Sequence, residues 1–167
     1  MNLKDRIGVD LGRRVSLEDG VDWAIVKGVK YIDAQLDIAP NGLTDFDEAR
    51  CAPIREKTAA NGIHLGLHTL SGVNIAEYSP FLSEAIDAYL KAYIDVALSL
   101  NAEWIVVHPG HHFGDKEARM EAAAGHIEKA SRYAEEVGAI LYLENMNWEP
   151  DLAEVHYLAH TVAEVQY

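Results

Sequence analysis

The chain has 167 residues, 49% of them hydrophobic, which suffices for one globular domain with a buried core. Acidic residues outnumber basic ones 27 to 14, a formal net charge of −13, so the average surface repels polyanions and offers no broad basic face to nucleic acid. The lone cysteine, Cys51, excludes an intrachain disulfide and fits a reducing compartment, where a buried structural thiol is expected. The opening MNLKDRIGVD lacks an apolar run of signal-peptide length, and no segment approaches the roughly 18 consecutive apolar residues of a membrane span, so a soluble, cytoplasmic protein is expected.

Five short apolar or alternating runs predict strands, and four of the gaps between and after them predict helices with recognisable ends. The first strand, Ile7–Leu11, is followed by Ser16 and Asp19 in capping-box spacing and by Gly28 as the closing residue of the helix. The second, Tyr31–Ile38, leads to Thr44 and Asp47, again in capping-box spacing, and to Gly62. The third, Ile63–Thr69, precedes Ser79 and Pro80, an N-cap followed by a first-turn proline. The helix that starts there carries Ile86, Leu90, Tyr93, Ile94, Ala97 and Leu98 at helical spacing, so one side of it is expected to be buried. Trp104–His108 forms the fourth strand, a helix closing at Gly138 follows, and Ala139–Met146 is the fifth. A fifth helix is predicted from about Asp151, with Leu152, Val155, His156, Leu158, Ala159 and Val162.

Strand alternating with helix implies a parallel sheet joined by right-handed crossovers. A doubly wound sheet, covered by helices on both faces, would need central strands that are apolar almost throughout. Here Asp33, Gln35 and Asp37 oppose Ile32, Ala34, Leu36 and Ile38, and His64, Gly66 and His68 oppose Ile63, Leu65 and Leu67. One apolar and one polar face per strand suits a barrel with helices outside and a site inside. A complete eight-stranded barrel needs about 250 residues, so the expected fold class is α/β, a partial (β/α) TIM barrel of about five βα units with parallel strands. No linker or composition shift divides the chain, so residues 1–167 are expected to be a single domain, truncated relative to a full barrel.

Reactive groups in such folds stand at the carboxyl ends of strands. His68, His108 and Glu144 each occupy the last inward position of their strand by the period-two count. Two imidazoles and a carboxylate at one mouth are a recognised ligand set for a catalytic zinc with an open fourth position; a hydrogen-bonded structural role is the alternative for any one of them. Glu144 is the most informative, because an unpaired carboxylate placed inward costs several kcal/mol. Gln35 and Asp37 face inward as polar lining. Asn74, Asn145 and Asn147 lie near the expected mouth, where amides can hydrogen-bond a polar ligand or simply form turns. His112, with His111, is placed to touch a phosphate or to remain an exposed loop residue. His126, His156 and His160 are expected on helices away from the mouth, as structural or surface residues, and Trp148 is expected to stack on a ligand or, preferably, to pack beneath its loop.

HTLSGVNIAE (His68–Glu77), VVHPGHH (Val106–His112) and LENMN (Leu143–Asn147) together resemble the xylose isomerase-like barrel superfamily, which includes endonuclease IV and many sugar and sugar-phosphate isomerases and epimerases. The resemblance runs from about Ile63 to the end of the chain. In the endonuclease-like branch it implies a metal bound by His68, His108 and Glu144; in the isomerase branch it implies Glu144 as ligand, with His68 and His108 nearer the substrate. It also implies a divalent cation, zinc or manganese, and further ligands from sixth to eighth strands that this sequence does not contain. The leading expectation is therefore a metal-dependent isomerase or epimerase of a small sugar or sugar phosphate, with Glu144 catalytic. An endonuclease IV-like phosphodiesterase and a non-catalytic metal-binding or oligomeric fragment are the alternatives. Open first and fifth strands further lead to the expectation of a homo-oligomer that covers them.

Overall fold

The structure is a computed structural model that describes residues 3–167. Five strands form one sheet, β1 (Gly8–Asp10), β2 (Tyr31–Ala34), β3 (His64–His68), β4 (Trp104–Val107) and β6 (Leu141–Leu143), in the order β1-β2-β3-β4-β6. Its strands are parallel and alternate with helices, as expected for part of a (β/α) barrel. A second, two-stranded antiparallel sheet pairs β5 (His111–His112) with β7 (His156–Tyr157). The chain resolves into two compact units. One holds the chain up to Leu70 together with Ala92–Ile105; the other holds Ser71–Lys91 and Val106–Tyr167.

In the first unit, α1 (Leu17–Lys27) starts at Ser16, whose hydroxyl accepts the Asp19 amide and donates to the Asp19 carboxylate, as the spacing predicts. It ends at Gly28 in the left-handed conformation, φ 70°. Helix α2 (Glu48–Asn61) starts one box later than expected: Asp47 is the cap, accepting the Arg50 amide, while Thr44 lies inside a single 3-10 turn, Leu43–Asp45. Asp47 is itself a strong capping residue, and that preference overrides its predicted place in the third helical position. Arg50 joins the two helices by a two-pronged contact with Glu18, at 2.7 and 3.0 Å, whose carboxyl it holds below the usual carboxylate range. Beneath them the buried Asn41 side chain accepts the Leu17 amide and donates to the Val15 carbonyl, fixing the loop after β2 to the start of α1.

The period-two pattern holds through this unit. Ile32, Ala34 and Leu36 are buried while Asp33, Gln35 and Asp37 are half-buried, so the alternation continues past the last ladder residue, Ala34. Ile38, expected on the apolar face, is exposed, because the chain has by then turned into the loop. Leu65, Leu67 and Ile105 are buried on the apolar face, and Cys51 is fully enclosed on α2, where burial pushes its thiol up. The opposite face is closed by an interlock: the Trp104 indole lies over Gly66 and donates its N–H to Asp33 Oδ1 at 2.8 Å. A methyl group on residue 66 would overlap both the indole and the carboxylate.

The long helix α3 (Pro80–Leu100) begins at the expected proline, with the Ser79 carbonyl accepting the Leu82 and Ser83 amides. Ile86, Leu90, Tyr93, Ile94 and Ala97 are buried as the stripe predicts, but Leu98 is 41% exposed and Leu100 fully buried. The stripe therefore continues from Tyr93 and Ala97 to Leu100, the i+3 and i+7 neighbours, rather than to Leu98.

The second unit is built on α4 (Lys116–Val137), which ends at left-handed Gly138 as expected. Ala76, Ala123 and Leu158 form its small core, with Met120 against them. The predicted fifth helix from Asp151 is absent. Pro150 to Ala153 is a turn, Leu152 is fully exposed, His156 and Tyr157 form β7, and Ala159 has φ 55°; only Val162–Val165 is helical, as the short α5. The apolar spacing of this segment reflects a turn and a strand that meets β5, and tertiary pairing has overridden a weak local preference. His156 and His160 accordingly stand on no helix. Among the described residues, no helix is long and apolar enough to cross a membrane.

Gly66→Ala is expected to destabilise the protein by about 1–3 kcal/mol through overpacking, measured as a lowered urea midpoint. An unchanged midpoint would show that the interlock of Gly66, Trp104 and Asp33 does not constrain the first unit.

Candidate metal centre

The backbone of the second unit brings His108 and Glu144 together. His108 follows directly on β4, and its conformation is limited by Pro109, which disfavours helical backbone in the residue before it. Gly110 then turns the chain at φ 89°. Glu144 follows β6, and its amide donates to the Val107 carbonyl at 3.0 Å, which sets the two residues side by side. His108 Nε2 lies 3.0 Å from Glu144 Oε2, with the imidazole nearly buried and the carboxylate more open. An ion bonded at about 2.1 Å to two ligands at a tetrahedral angle holds them about 3.4 Å apart. The pair therefore fits a divalent cation after a shift of a few tenths of an ångström, and a nitrogen and a carboxylate oxygen are the donor types that zinc and manganese accept.

In the first unit, His68 is the last residue of β3, and its Nδ1 lies 3.5 Å from Asp33 Oδ2. The other Asp33 oxygen is taken by the Trp104 indole. The hydroxyl of Tyr93, fully buried on α3, accepts the Leu36 amide at 3.0 Å, donates to Asp37 Oδ2 at 2.6 Å, and lies 3.1 Å from the His68 carbonyl. Asp37 thus has one carboxylate oxygen bonded to Tyr93, while Gln35 is half-buried on the same side of the chain. Asp33, Trp104 and Tyr93 support the ends of β2 and β3, a role the sequence pattern does not mark. The signal available for Asp33 is its place on the polar side of β2, two residues before Gln35.

Asn74 has its amide engaged by main chain: Oδ1 accepts the His111 amide at 2.9 Å and the Ala76 amide at 3.2 Å, and Nδ2 donates to the His111 carbonyl at 3.1 Å. Asn145 and Asn147 are exposed, the latter bonded to Glu149. Trp148 is 63% exposed, so the expected packing beneath its loop is not found. His126 lies on α4 as expected and is buried, with Nδ1 2.5 Å from Asp87 Oδ1, the structural one of its two expected roles. His160 Nδ1 lies 2.8 Å from the Tyr157 carbonyl.

His112 is buried rather than an exposed loop residue, and its ring stacks on that of His156, its cross-strand partner in the β5–β7 pair, with centroids 5.4 Å apart. The Gly114 amide donates to His112 Nδ1 at 3.2 Å. Since an amide N–H can only donate, neutral His112 carries its proton on Nε2 and presents it as a donor. Burial lowers the pKa of His112, and His156 and Lys116 push it further the same way. Burial, aided by Arg119, also lowers that of His111.

The sequence matches the family model described as xylose isomerase-like TIM barrel over residues 21–166, and the chain belongs to this family. Solved structures share the fold. A D-psicose 3-epimerase from Clostridium cellulolyticum, determined with D-tagatose, is 14% identical with TM-score 0.71, over 84% of this chain and 52% of that one. An L-ribulose 3-epimerase is 15% identical with TM-score 0.72, over 96% and 54%. Endonuclease IV from Thermus thermophilus is 22% identical with TM-score 0.63, over 88% and 54%. This chain spans about half the length of the solved structures it matches. No curated protein sequence matches it.

The lowered values of His111 and His112 set a pH dependence. The unfolded chain binds protons at the ordinary imidazole value near 6.5 while the folded chain resists them, so their contribution to stability is present above about pH 6.5 and is lost as pH falls below it. Thermal unfolding in chelator is expected to show a melting temperature that declines from pH 7.5 to 5. His112→Gln, which cannot titrate, is expected to make that decline shallower; an equal slope in the variant would reject the assignment.

Proposed function

We propose that the protein is a metal-dependent isomerase or epimerase of a small sugar or sugar phosphate, with zinc or manganese held by His68, His108 and Glu144. The observation that carries this reading is the 3.0 Å approach of His108 Nε2 to Glu144 Oε2 just beyond the ends of β4 and β6. Family membership supports it. A bound divalent cation would polarise a carbonyl or hydroxyl pair and stabilise negative charge developing on oxygen.

The chain's own residues have distinct parts in this reading. Glu144 holds the ion and is the carboxylate assigned to proton transfer at the substrate. His112 offers its Nε2 proton to a substrate oxygen, and Gln35, Asp37, Asn145 and Asn147 offer amide or carboxylate groups to sugar hydroxyls. The formal charge of −13 favours a small sugar over DNA, because nucleic-acid affinity is dominated by phosphate neutralisation. A phosphodiesterase of the endonuclease IV kind is the second reading, favoured by the His108-Pro109-Gly110 sequence. We also propose self-association through β1 and β6, which stand at the two ends of the strand order. Light scattering at micromolar concentration is expected to give a mass above the 18.5 kDa of one chain, and a monodisperse monomer would reject this.

Elemental analysis of the purified protein, with His68→Ala, His108→Ala and Glu144→Ala, tests the ligand set. Each variant is expected to lose at least tenfold in metal affinity, and metal content unchanged in all three would overturn the assignment. Epimerisation of ketoses, measured beside cleavage of abasic-site DNA, then separates the two enzymatic readings.

A further inference from the structure

We infer that Asn74 is a positioning residue that fixes the backbone carrying His108, and that its amide pairs with β5 as a residue of a neighbouring strand would. The inference rests on the metal reading for its functional consequence but not for its geometry. His111 directs both its main-chain N–H and its C=O to the Asn74 side chain, at 2.9 and 3.1 Å. That is the two-way exchange a residue of an adjacent strand would make. On the other side of the same turn, the Leu158 amide donates to the Gly110 carbonyl at 3.0 Å, and β7 pairs with β5. The short β5 is therefore held from both flanks, by a true strand and by one side chain.

Gly110 shows how close this brace is. A Cβ there would overlap Asn74 Oδ1 and lie 2.8 Å from Ala76 Cβ and 2.9 Å from the Ala76 nitrogen, at a φ of 89° that side chains rarely adopt. From His108 to His111 almost no torsional freedom remains. Pro109 restricts the residue before it, Gly110 supplies the one permitted turn, and Asn74 fixes His111. The segment that carries Asn74 is itself anchored, since Glu77 accepts from the buried Arg119 guanidinium at 3.0 Å and Arg119 also donates to Asp115. Asn74 Oδ1 accepts the Ala76 and His111 amides and Nδ2 donates to the His111 carbonyl, so the side chain acts on His108 through the loop.

The test uses the full chain carrying Asn74→Ala or Asn74→Asp, with Gly110→Ala as an independent way of displacing the same turn. Two readouts are taken: affinity and visible spectrum for Co²⁺ ions, and hydrogen exchange of the 110–112 amides without metal. Asn74→Ala is expected to speed exchange at His111, to weaken Co²⁺ binding by tenfold or more, as loss of a ligand-orienting group does, and to alter the cobalt spectrum. Asn74→Asp keeps the acceptor but not the donor and is expected to fall between. Gly110→Ala is expected to reproduce the alanine variant, and the double variant to add little. A folded Asn74→Ala protein with wild-type exchange, affinity and spectrum overturns the proposal. If that variant does not fold, Asn74→Asp decides by the same criteria. Wild-type protein that takes up no Co²⁺ removes the metal reading instead, and the brace is then judged on exchange alone.

Discussion

A strand can offer only every second side chain to a given face, and β2, β3 and β4 spend that allowance in the same way. The outward residues Ile32, Ala34, Leu65, Leu67, Ile105 and Val107 are given up to burial. The other face carries Asp33, Gln35, Gly66 and Trp104. Asp33, Gly66 and Trp104 interlock there because an indole fits only where its neighbour has no side chain, and because its N–H needs an acceptor once it is enclosed. The groups with chemical potential, His68, His108 and Glu144, come at the end of each such column, where the ladder stops and the constraint relaxes.

Relaxation at a strand end would ordinarily mean mobility. The exit from β4 avoids it by combining three backbone restrictions within four residues, one from proline, one from glycine and one from a side-chain amide. The exit from β6 uses plain main-chain pairing, with the Glu144 amide on Val107 and the Met146 amide on Ala159. A histidine and a carboxylate held by such different means still meet at hydrogen-bond distance, which places the cost of assembling the pair in folding rather than in ligand binding.

The alternation, the glycine stops and the three strand-end residues were legible in the sequence because each follows from a local rule applied to consecutive residues. The supports were not. Nothing near Asn74 in sequence announces that its partner is His111, and Tyr93 presents itself as one more apolar position in the stripe of α3 although its oxygen meets three groups of the β2 and β3 exits. The segment after Pro150 misled for a related reason. Leu152, Val155, Leu158, Ala159 and Val162 satisfy a helical period, but whether a period is used depends on what lies opposite, and here β5 does. The capping of α2 shows the same limit on a smaller scale, where two good caps, Thr44 and Asp47, competed three residues apart.

Tyr93 also fixes something that packing alone would leave loose. A helix of 21 residues held by aliphatic contacts can settle in slightly different rotations about its axis with little change in buried area. The phenol ring is rigid, and its oxygen must meet the Leu36 amide, the Asp37 carboxylate and the vicinity of the His68 carbonyl at once. A turn of one residue, about 100°, would withdraw it from all three and strand a buried amide without an acceptor. The hydroxyl works as an index pin, so that α3 has one angular setting, and drift in the helix surface can be tolerated without passing into the strand ends beneath it.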